Sequence, residues 1–237
     1  MHEEHAAFET RGWKMKVTMP SGRTEWLKRA SALEATKNWQ EMLEWCREWA
    51  KSEPTNAVAW YCLGNAYDNL KRPNNAVEAY GQALKIDPGY AHAWYNLGGA
   101  YFRLNRFNDA IMAYLQAIRI EPKDADAWYI IGVAYGHLDR YNDAIEAYQQ
   151  TVSINPQYAD AWSSLGAAYI SLDRYDDAIE ACRQAIKIDP VNAIAWNNLG
   201  GAYFLSGNRT AALDAVRELR RLDPAPADKL FNLIVPR

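Results

Sequence analysis

Apolar residues recur along this chain at helical spacing, and small residues accompany the large ones. Trp94, Leu97, Gly98 and Tyr101 occupy positions i, i+3, i+4 and i+7, which form one stripe of an α-helix. A second apolar stripe runs from Ala110 to Ile118, after a short polar turn. Pro122 then ends the pattern, because proline cannot continue a helix. The spacing predicts two amphipathic helices joined by a short turn.

The whole pattern returns every 34 residues. Six tryptophans keep this interval: Trp26, Trp60, Trp94, Trp128, Trp162 and Trp196. Seven prolines keep it as well: Pro20, Pro54, Pro88, Pro122, Pro156, Pro190 and Pro224. A fixed period of this length indicates helical units that stack on their neighbours. Five full repeats are predicted, at 57–90, 91–124, 125–158, 159–192 and 193–226.

Glycine and alanine occupy fixed places within each repeat. Glycine inside a helix costs about 1 kcal/mol relative to alanine, so its return in each unit calls for a packing reason. Where helices cross closely, a larger side chain would hold them apart. We therefore expect Gly98 and Ala110 to admit Trp and Tyr side chains of neighbouring helices.

The motif W-x2-L-G-x2-Y, followed by A, Y, A and P at this period, resembles the tetratricopeptide repeat (TPR) family. The resemblance implies an all-α fold, a right-handed α-solenoid or superhelix of helix-turn-helix pairs. It also implies that the first helix of each pair lines a concave groove. Departures from the motif are few: Cys182 and Val216 replace a tyrosine, and Thr151 replaces an alanine.

The ends of the chain depart from the repeat. Residues 23–56 keep Trp26 and Pro54 in register but replace Leu-Gly with Arg29 and Ala30, so a degenerate helix pair is predicted there. In residues 227–237, three apolar residues repeat the spacing of Trp196, Leu199 and Gly200, which predicts a capping helix and tail: Leu230, Leu233 and Ile234. Residues 1–22 lie outside the repeat, and Trp13 to Met19 alternates like a short strand. This arm is either flexible or a remnant of a preceding domain.

The groove implied by the resemblance is lined by first-helix residues beside the buried stripe. Their identity varies between repeats, and they form the predicted peptide-binding site: Tyr61, Asn65, His92, Tyr95, Asn96, Phe102, Asp126, Tyr129, Ser163, Asn197 and Asn198. Tyrosine offers wide apolar contact with a polar tip, and asparagine bonds both donors and acceptors of a peptide backbone. The alternative is that the tyrosines pack against the next first helix. The N-terminal half of the groove is the preferred site.

The predicted partner is a protein or peptide with apolar anchors. Some TPR grooves hold acidic chaperone tails with a clamp of Lys, Asn and Arg. Asn65 and Asn96 match its asparagines, but Tyr61, Asp126 and Ile130 occupy the slots that should be basic. Without cations, a terminal carboxylate loses its charge-assisted bonds, so this ligand is not expected.

Charge and composition narrow the function classes further. The net charge is −3, which disfavours a nucleic-acid partner. No apolar run is long enough for a membrane span, and the start of the chain lacks a signal-peptide core. The three cysteines are scattered, which favours a reducing cytoplasm without a disulfide framework. No catalytic motif, metal site or cofactor loop is recognised, so no enzyme activity or cofactor is expected.

Two functions remain from the sequence. The first is a non-catalytic scaffold or adaptor that binds a peptide or partner domain in the groove. The second is the interaction arm of a larger enzyme, for example a trypsin-like peptidase, since bacterial segments resembling this one often follow such domains. Self-association through similar units is also expected to be accessible to the chain.

Overall fold

A computed structural model describes residues 5–10, 13–18 and 23–235 of the chain. At the N-terminal side, β1 (His5–Thr10) and β2 (Trp13–Thr18) form an antiparallel pair with His5 opposite Thr18. The strand predicted for Trp13 to Met19 is thereby confirmed as β2. Its origin as a remnant of another domain stays a prediction.

Helices make up nearly all of the rest, and they alternate as first and second members of pairs. The degenerate pair is α1 (Arg23–Ala35) and α2 (Trp39–Ser52). The five repeats supply α3 (Ala57–Asn69), α4 (Pro73–Ile86), α5 (Ala91–Arg103), α6 (Phe107–Ile120), α7 (Ala125–His137), α8 (Tyr141–Ile154), α9 (Ala159–Ile170), α10 (Tyr175–Ile188), α11 (Ala193–Leu205) and α12 (Arg209–Leu222). A last helix, α13 (Pro224–Ile234), follows. The expected all-α array of tandem helix pairs is confirmed.

Residues 1–113 and 114–237 form two compact units. In the first unit, one apolar cluster joins the degenerate pair to the repeats that follow, and Trp49, Met42 and Tyr80 are fully buried in it. In the second unit, Ala178 and Cys182 are fully buried between paired helices. Helix α6 runs across the division.

A hydrogen bond explains why tryptophan and proline share one period. The indole N–H of Trp60 donates to the carbonyl oxygen of Pro54 at 3.0 Å. Three further repeats contain the same bond, at 2.9–3.0 Å, from Trp94 to Pro88, from Trp162 to Pro156 and from Trp196 to Pro190. Each bond ties the start of a first helix to the loop before it, so both residues serve the fold.

Each turn between paired helices contains one residue in the left-handed region. These residues have φ between 54° and 85°: Lys37, Lys71, Asn105, Asp139, Asp173 and Gly207. The next backbone N–H bonds back to the preceding helix, as Arg72 does to the Tyr67 carbonyl at 2.9 Å. This Schellman geometry favours glycine, because a side chain strains the left-handed conformation by about 1–2 kcal/mol.

Replacing Lys71 with glycine is therefore expected to stabilise the protein by about 0.5–1 kcal/mol, the relief of strain less the entropy that glycine loses. Urea unfolding followed by circular dichroism measures the change. Gly207→Ala is the reciprocal control, since φ there is +85° and the substitution should destabilise. A loss of stability in Lys71→Gly would show that the lysine side chain makes an interaction outweighing its backbone strain.

Three of the recurring glycines, Gly64, Gly132 and Gly166, receive a side chain of the second helix in the same repeat. A Cβ added to Gly64 would lie 2.4 Å from the Tyr80 ring, and one added to Gly132 would lie 2.5 Å from the Tyr148 ring. Both glycines occupy the slot of Gly98, for which this packing is predicted.

The C-terminal helix differs from its prediction in two respects. It begins at Pro224, before the predicted 227, because Asp223 caps it through the Ala225 N–H and proline is well suited to a first helical position. Leu230 and Ile234 are buried as expected, but Leu233 is 65% exposed. In the full repeats, the residue in this slot is buried because a second helix packs beside the first. In the described residues no helix follows α13, so Leu233 lacks that cover.

Candidate functional site

The predicted site residues all lie on the first helices of the five full repeats. In the first unit they are Tyr61 and Asn65 on α3, with His92, Tyr95, Asn96 and Phe102 on α5. In the second unit they are Asp126 and Tyr129 on α7, Ser163 on α9, and Asn197 and Asn198 on α11. Their surroundings decide which can meet a ligand.

A buried polar network joins α3, α4 and α5. The Tyr80 hydroxyl donates to Asn65 Oδ1 at 2.8 Å, and the Asn96 amide donates to the same oxygen at 3.0 Å and to the Tyr61 hydroxyl at 3.1 Å. Burial raises the pKa of Tyr80, so its phenol stays neutral and donates. Tyr61 and Asn65 are only 4% and 6% exposed. Both residues therefore belong to the supporting layer beneath the surface.

Aromatic rings cover Tyr61. Its ring centroid lies 4.9 Å from that of Tyr90 and 5.9 Å from that of Tyr80. Tyr90 occupies the N-cap position of α5, where it makes no side-chain capping bond. The other predicted residues of this unit, His92, Tyr95, Asn96 and Phe102, are half-buried and reach the surface in part. In this unit the packing role foreseen as the alternative applies to Tyr61.

The second unit repeats this arrangement around Tyr129. Its ring lies 5.8 Å from that of Tyr148 and 5.1 Å from that of Tyr158, at the N-cap of α9. The Tyr158 hydroxyl donates to Asp126 Oδ1 at 2.9 Å. Burial, and then this carboxylate, raise the pKa of Tyr158. Tyr129 is half-buried and Asp126 is exposed, so the surface here is an acidic edge beside an aromatic ring.

Helices α9 and α11 are joined through their polar residues. The Asn198 amide donates to the Ser163 carbonyl at 3.1 Å, and the Asn192 amide donates to Asp160 Oδ1 at 3.3 Å. Ser163 is only 3% exposed, and its hydroxyl donates to the Asp160 carbonyl. Ser163 thus acts within the fold, whereas Asn197 and Asn198 are half-buried on the surface of α11.

Sequence reasoning missed two apolar residues on the same helix. Ile194 is 65% exposed and Leu205 is 49% exposed. Ile194 stands in the slot that Asp126 and Asp160 occupy in the two preceding repeats. This correspondence is the signal available in the sequence, since Asp126 is assigned to the predicted groove and Ile194 occupies the same slot.

Within the described part of the chain, no three His, Cys, Asp or Glu side chains group in a way that could hold a metal ion. Each described helix is too short or too polar to cross a lipid bilayer. The three cysteines are free and buried. Cys46 lies beside Cys62, 16 positions further along the chain. The hydrogen bond with Cys46, and then burial, raise the pKa of the Cys62 thiol.

The fold and the site thus define a helical-repeat protein with a variable surface on its first helices. Family models described as tetratricopeptide repeat match residues 69–133, 125–158 and 159–192, which together exceed half of the chain. The chain belongs to the tetratricopeptide repeat family. A comparison with curated proteins finds no match.

Solved structures agree with this assignment. The chain is 30% identical to a structure of MamA, with a TM-score of 0.68, over 75% of this chain and 96% of that one. YrrB, titled a TPR protein with an unusual peptide-binding site, is 21% identical, with a TM-score of 0.70, over 79% and 97%. PilF of Pseudomonas aeruginosa is 17% identical, with a TM-score of 0.72, over 89% and 97%. The last two show likeness of fold alone.

Proposed function

We propose that this protein is a non-catalytic interaction scaffold or adaptor that binds a peptide or a partner domain on its first helices. One observation carries the proposal. The residues that recur in each repeat are buried or hold the fold, whereas several that vary between repeats reach the surface of the first helices. Variation at exposed positions on a constant frame is the arrangement of a recognition surface.

The relatives support binding as the activity, since one of them, YrrB, is titled for a peptide-binding site. Aromatic and amide side chains at the surface, such as Tyr95, Tyr129 and Asn197, suit a peptide with apolar anchors. An acidic chaperone tail fits poorly, because Asn65 is buried and Asn96 is bonded to it. We also keep the cytoplasm as the proposed location, since all three cysteines are free thiols. The enzyme-arm alternative stays a prediction.

The test is selection of ligands on the full chain from a phage library of random peptides of about twelve residues, which span about 40 Å when extended. Enriched peptides are expected to bind the variant Tyr95→Ala, Tyr129→Ala at least about tenfold more weakly than wild type, because aromatic anchors dominate such interfaces. Fluorescence polarisation measures the affinities.

The matched control changes two exposed second-helix residues, Met112→Ala and Ser153→Ala, and should bind as wild type does. Circular dichroism verifies that both variants stay helical. Failure to enrich any peptide, or equal affinity of all three proteins, would contradict the proposed peptide-binding surface.

A further inference from the structure

We infer that the first helices of the second unit select a partner segment in which basic residues accompany large apolar ones. The inference rests on the proposed function and adds the chemistry of the ligand. It concerns one surface, here called the acidic–apolar face, which is formed by Asp126, Asp160, Ile194, Asn198, Gly201 and Leu205.

The three helices that carry this face lie side by side. Helix α9 packs against both α7 and α11. Asn192 bonds to Asp160, and Asn198 bonds to the Ser163 carbonyl, so α9 and α11 are held in register. Residues 34 positions apart therefore form rows across the helices, and Asp126, Asp160 and Ile194 make one such row.

The row carries two carboxylates, and the charge nearest to them on their own helices is the partial positive charge of the helix N-termini, since both lie in a first turn. Helices α7, α9 and α11 contain no lysine or arginine. Asp126 and Asp160 are exposed, and their bonds come from neutral donors, the Tyr158 hydroxyl and the Asn192 amide. On second helices, by contrast, the side chains Asp143 and Asp177 pair with arginines.

Such a pair of carboxylates raises the local concentration of cationic groups and repels anionic ones. The partner chemistry that this surface fits is therefore basic.

An apolar stripe lies beside the carboxylates. Ile194, Asn198, Gly201 and Leu205 stand at i, i+4, i+7 and i+11 on α11, along one face of the helix. Ile194 and Leu205 are the exposed large residues of this stripe, at 65% and 49%. A Cβ at Gly201 would meet nothing within 4 Å, so the helix backbone between them is open to close approach.

The spacing of the row sets the spacing of the ligand. Packed helices lie about 8–10 Å apart, and an extended peptide advances about 3.3 Å per residue. Carboxylates on adjacent helices thus match basic residues about three positions apart. Helix α11 is reached about three ligand residues further along, where Ile194 and its stripe can contact a large apolar side chain of the ligand. The expected ligand carries two lysines or arginines followed, or preceded, by an apolar anchor.

The experiment uses the random-peptide phage library on the full chain, with charge removed at the face or away from it. The face variant is Asp126→Asn with Asp160→Asn, which keeps an acceptor for Tyr158 and Asn192. The matched control is Glu146→Gln with Glu180→Gln, exposed residues 34 positions apart on α8 and α10. Both variants lose the same charge.

Enriched peptides are expected to be rich in lysine, arginine and large apolar residues. They should bind the face variant about tenfold more weakly, because the small contributions of two exposed ion pairs are lost together. The control variant should keep wild-type affinity. Affinity should also fall as salt rises, because exposed charges are screened. Ile194→Ser with Leu205→Ser should weaken binding, and Leu233→Ser should not.

The outcomes separate this inference from the proposed function. If no peptide is enriched, the proposed function fails with it. If neutral or acidic peptides are enriched, or if the face variant binds basic peptides as tightly as the control does, peptide binding stands and the basic ligand is overturned. If light scattering shows wild type to be oligomeric and the face variant monomeric, the occupant is a second copy of the chain, which also overturns it.

Discussion

Replacing Trp49 with alanine is expected to lower the free energy of unfolding by about 3–5 kcal/mol, the usual cost of deleting a buried aromatic side chain. Trp49 is fully buried, and its ring stacks on Trp26 with centroids 5.9 Å apart and planes 9° apart. In the five full repeats, the equivalent slot holds alanine, threonine or leucine. The degenerate pair α1 and α2 therefore depends on one large ring where the others use small residues.

Two further variants separate packing from polarity at this position. The indole N–H of Trp49 is buried without a hydrogen-bond partner, so Trp49→Phe removes an unsatisfied donor along with some volume. We expect Trp49→Phe to lose much less stability than Trp49→Ala. Trp39→Ala is the matched control, because Trp39 is only partly buried against the same cluster.

Urea unfolding measures the total change, and hydrogen exchange locates it. Protection should be lost first in residues 23–52, since each repeat contacts mainly its neighbours. If Trp49→Ala and Trp39→Ala destabilise equally, the stacked ring is not the source of stability in this pair.

The 34-residue repeat made the fold predictable, because each structural position occurs several times in one chain. Tryptophan and proline recur together since the indole N–H of each of four tryptophans bonds to the proline carbonyl. Glycine recurs where another helix approaches closely: Gly64 lies against the Tyr80 ring, and Gly166 lies against the Cys182 sulfur. A slot under such constraint is visible in the sequence as a constant residue.

The candidate site was less predictable, because its exposure depends on residues that vary. Whether Tyr61 faces a ligand is decided by Tyr90, which stands at the N-cap of the next repeat and covers the ring. The same pairing, 29 residues apart, returns as Tyr129 with Tyr158. Other N-cap slots hold Asn56, Asp124 and Asn192, whose side chains cap the helix instead. The sequence signal for a covered tyrosine is therefore a second tyrosine 29 positions later, and not the first tyrosine alone.

The predicted site favours aromatic residues and contains no exposed aliphatic ones. Ile194 and Leu205 lie on α11, whose apolar residues are spread around the whole helix. Periodicity alone therefore does not separate its packed side chains from its exposed ones. The exposure of Leu233 was not predicted for a different reason, since its slot is buried in repeats where a second helix follows. End positions therefore need a separate argument from interior repeats.

Replacing Gly64 with alanine is expected to destabilise the protein by about 1–3 kcal/mol through overpacking. The new Cβ would lie 2.4 Å from the Tyr80 ring, which is fully buried and held by its hydroxyl bond to Asn65. The ring cannot withdraw without breaking that bond. Gly81→Ala, in α4 of the same repeat, meets nothing within 4 Å and should stabilise by up to about 1 kcal/mol.

A double-mutant cycle tests the contact itself, because the chain contains a smaller version of it. In the degenerate pair, Ala30 takes the glycine slot and Cys46 takes the tyrosine slot, and both are fully buried. Tyr80→Cys should therefore make Gly64→Ala less costly, with a favourable coupling energy of about 1 kcal/mol or more in urea unfolding. Additive losses in the cycle would mean that alanine at position 64 destabilises the helix by another route than the Tyr80 ring.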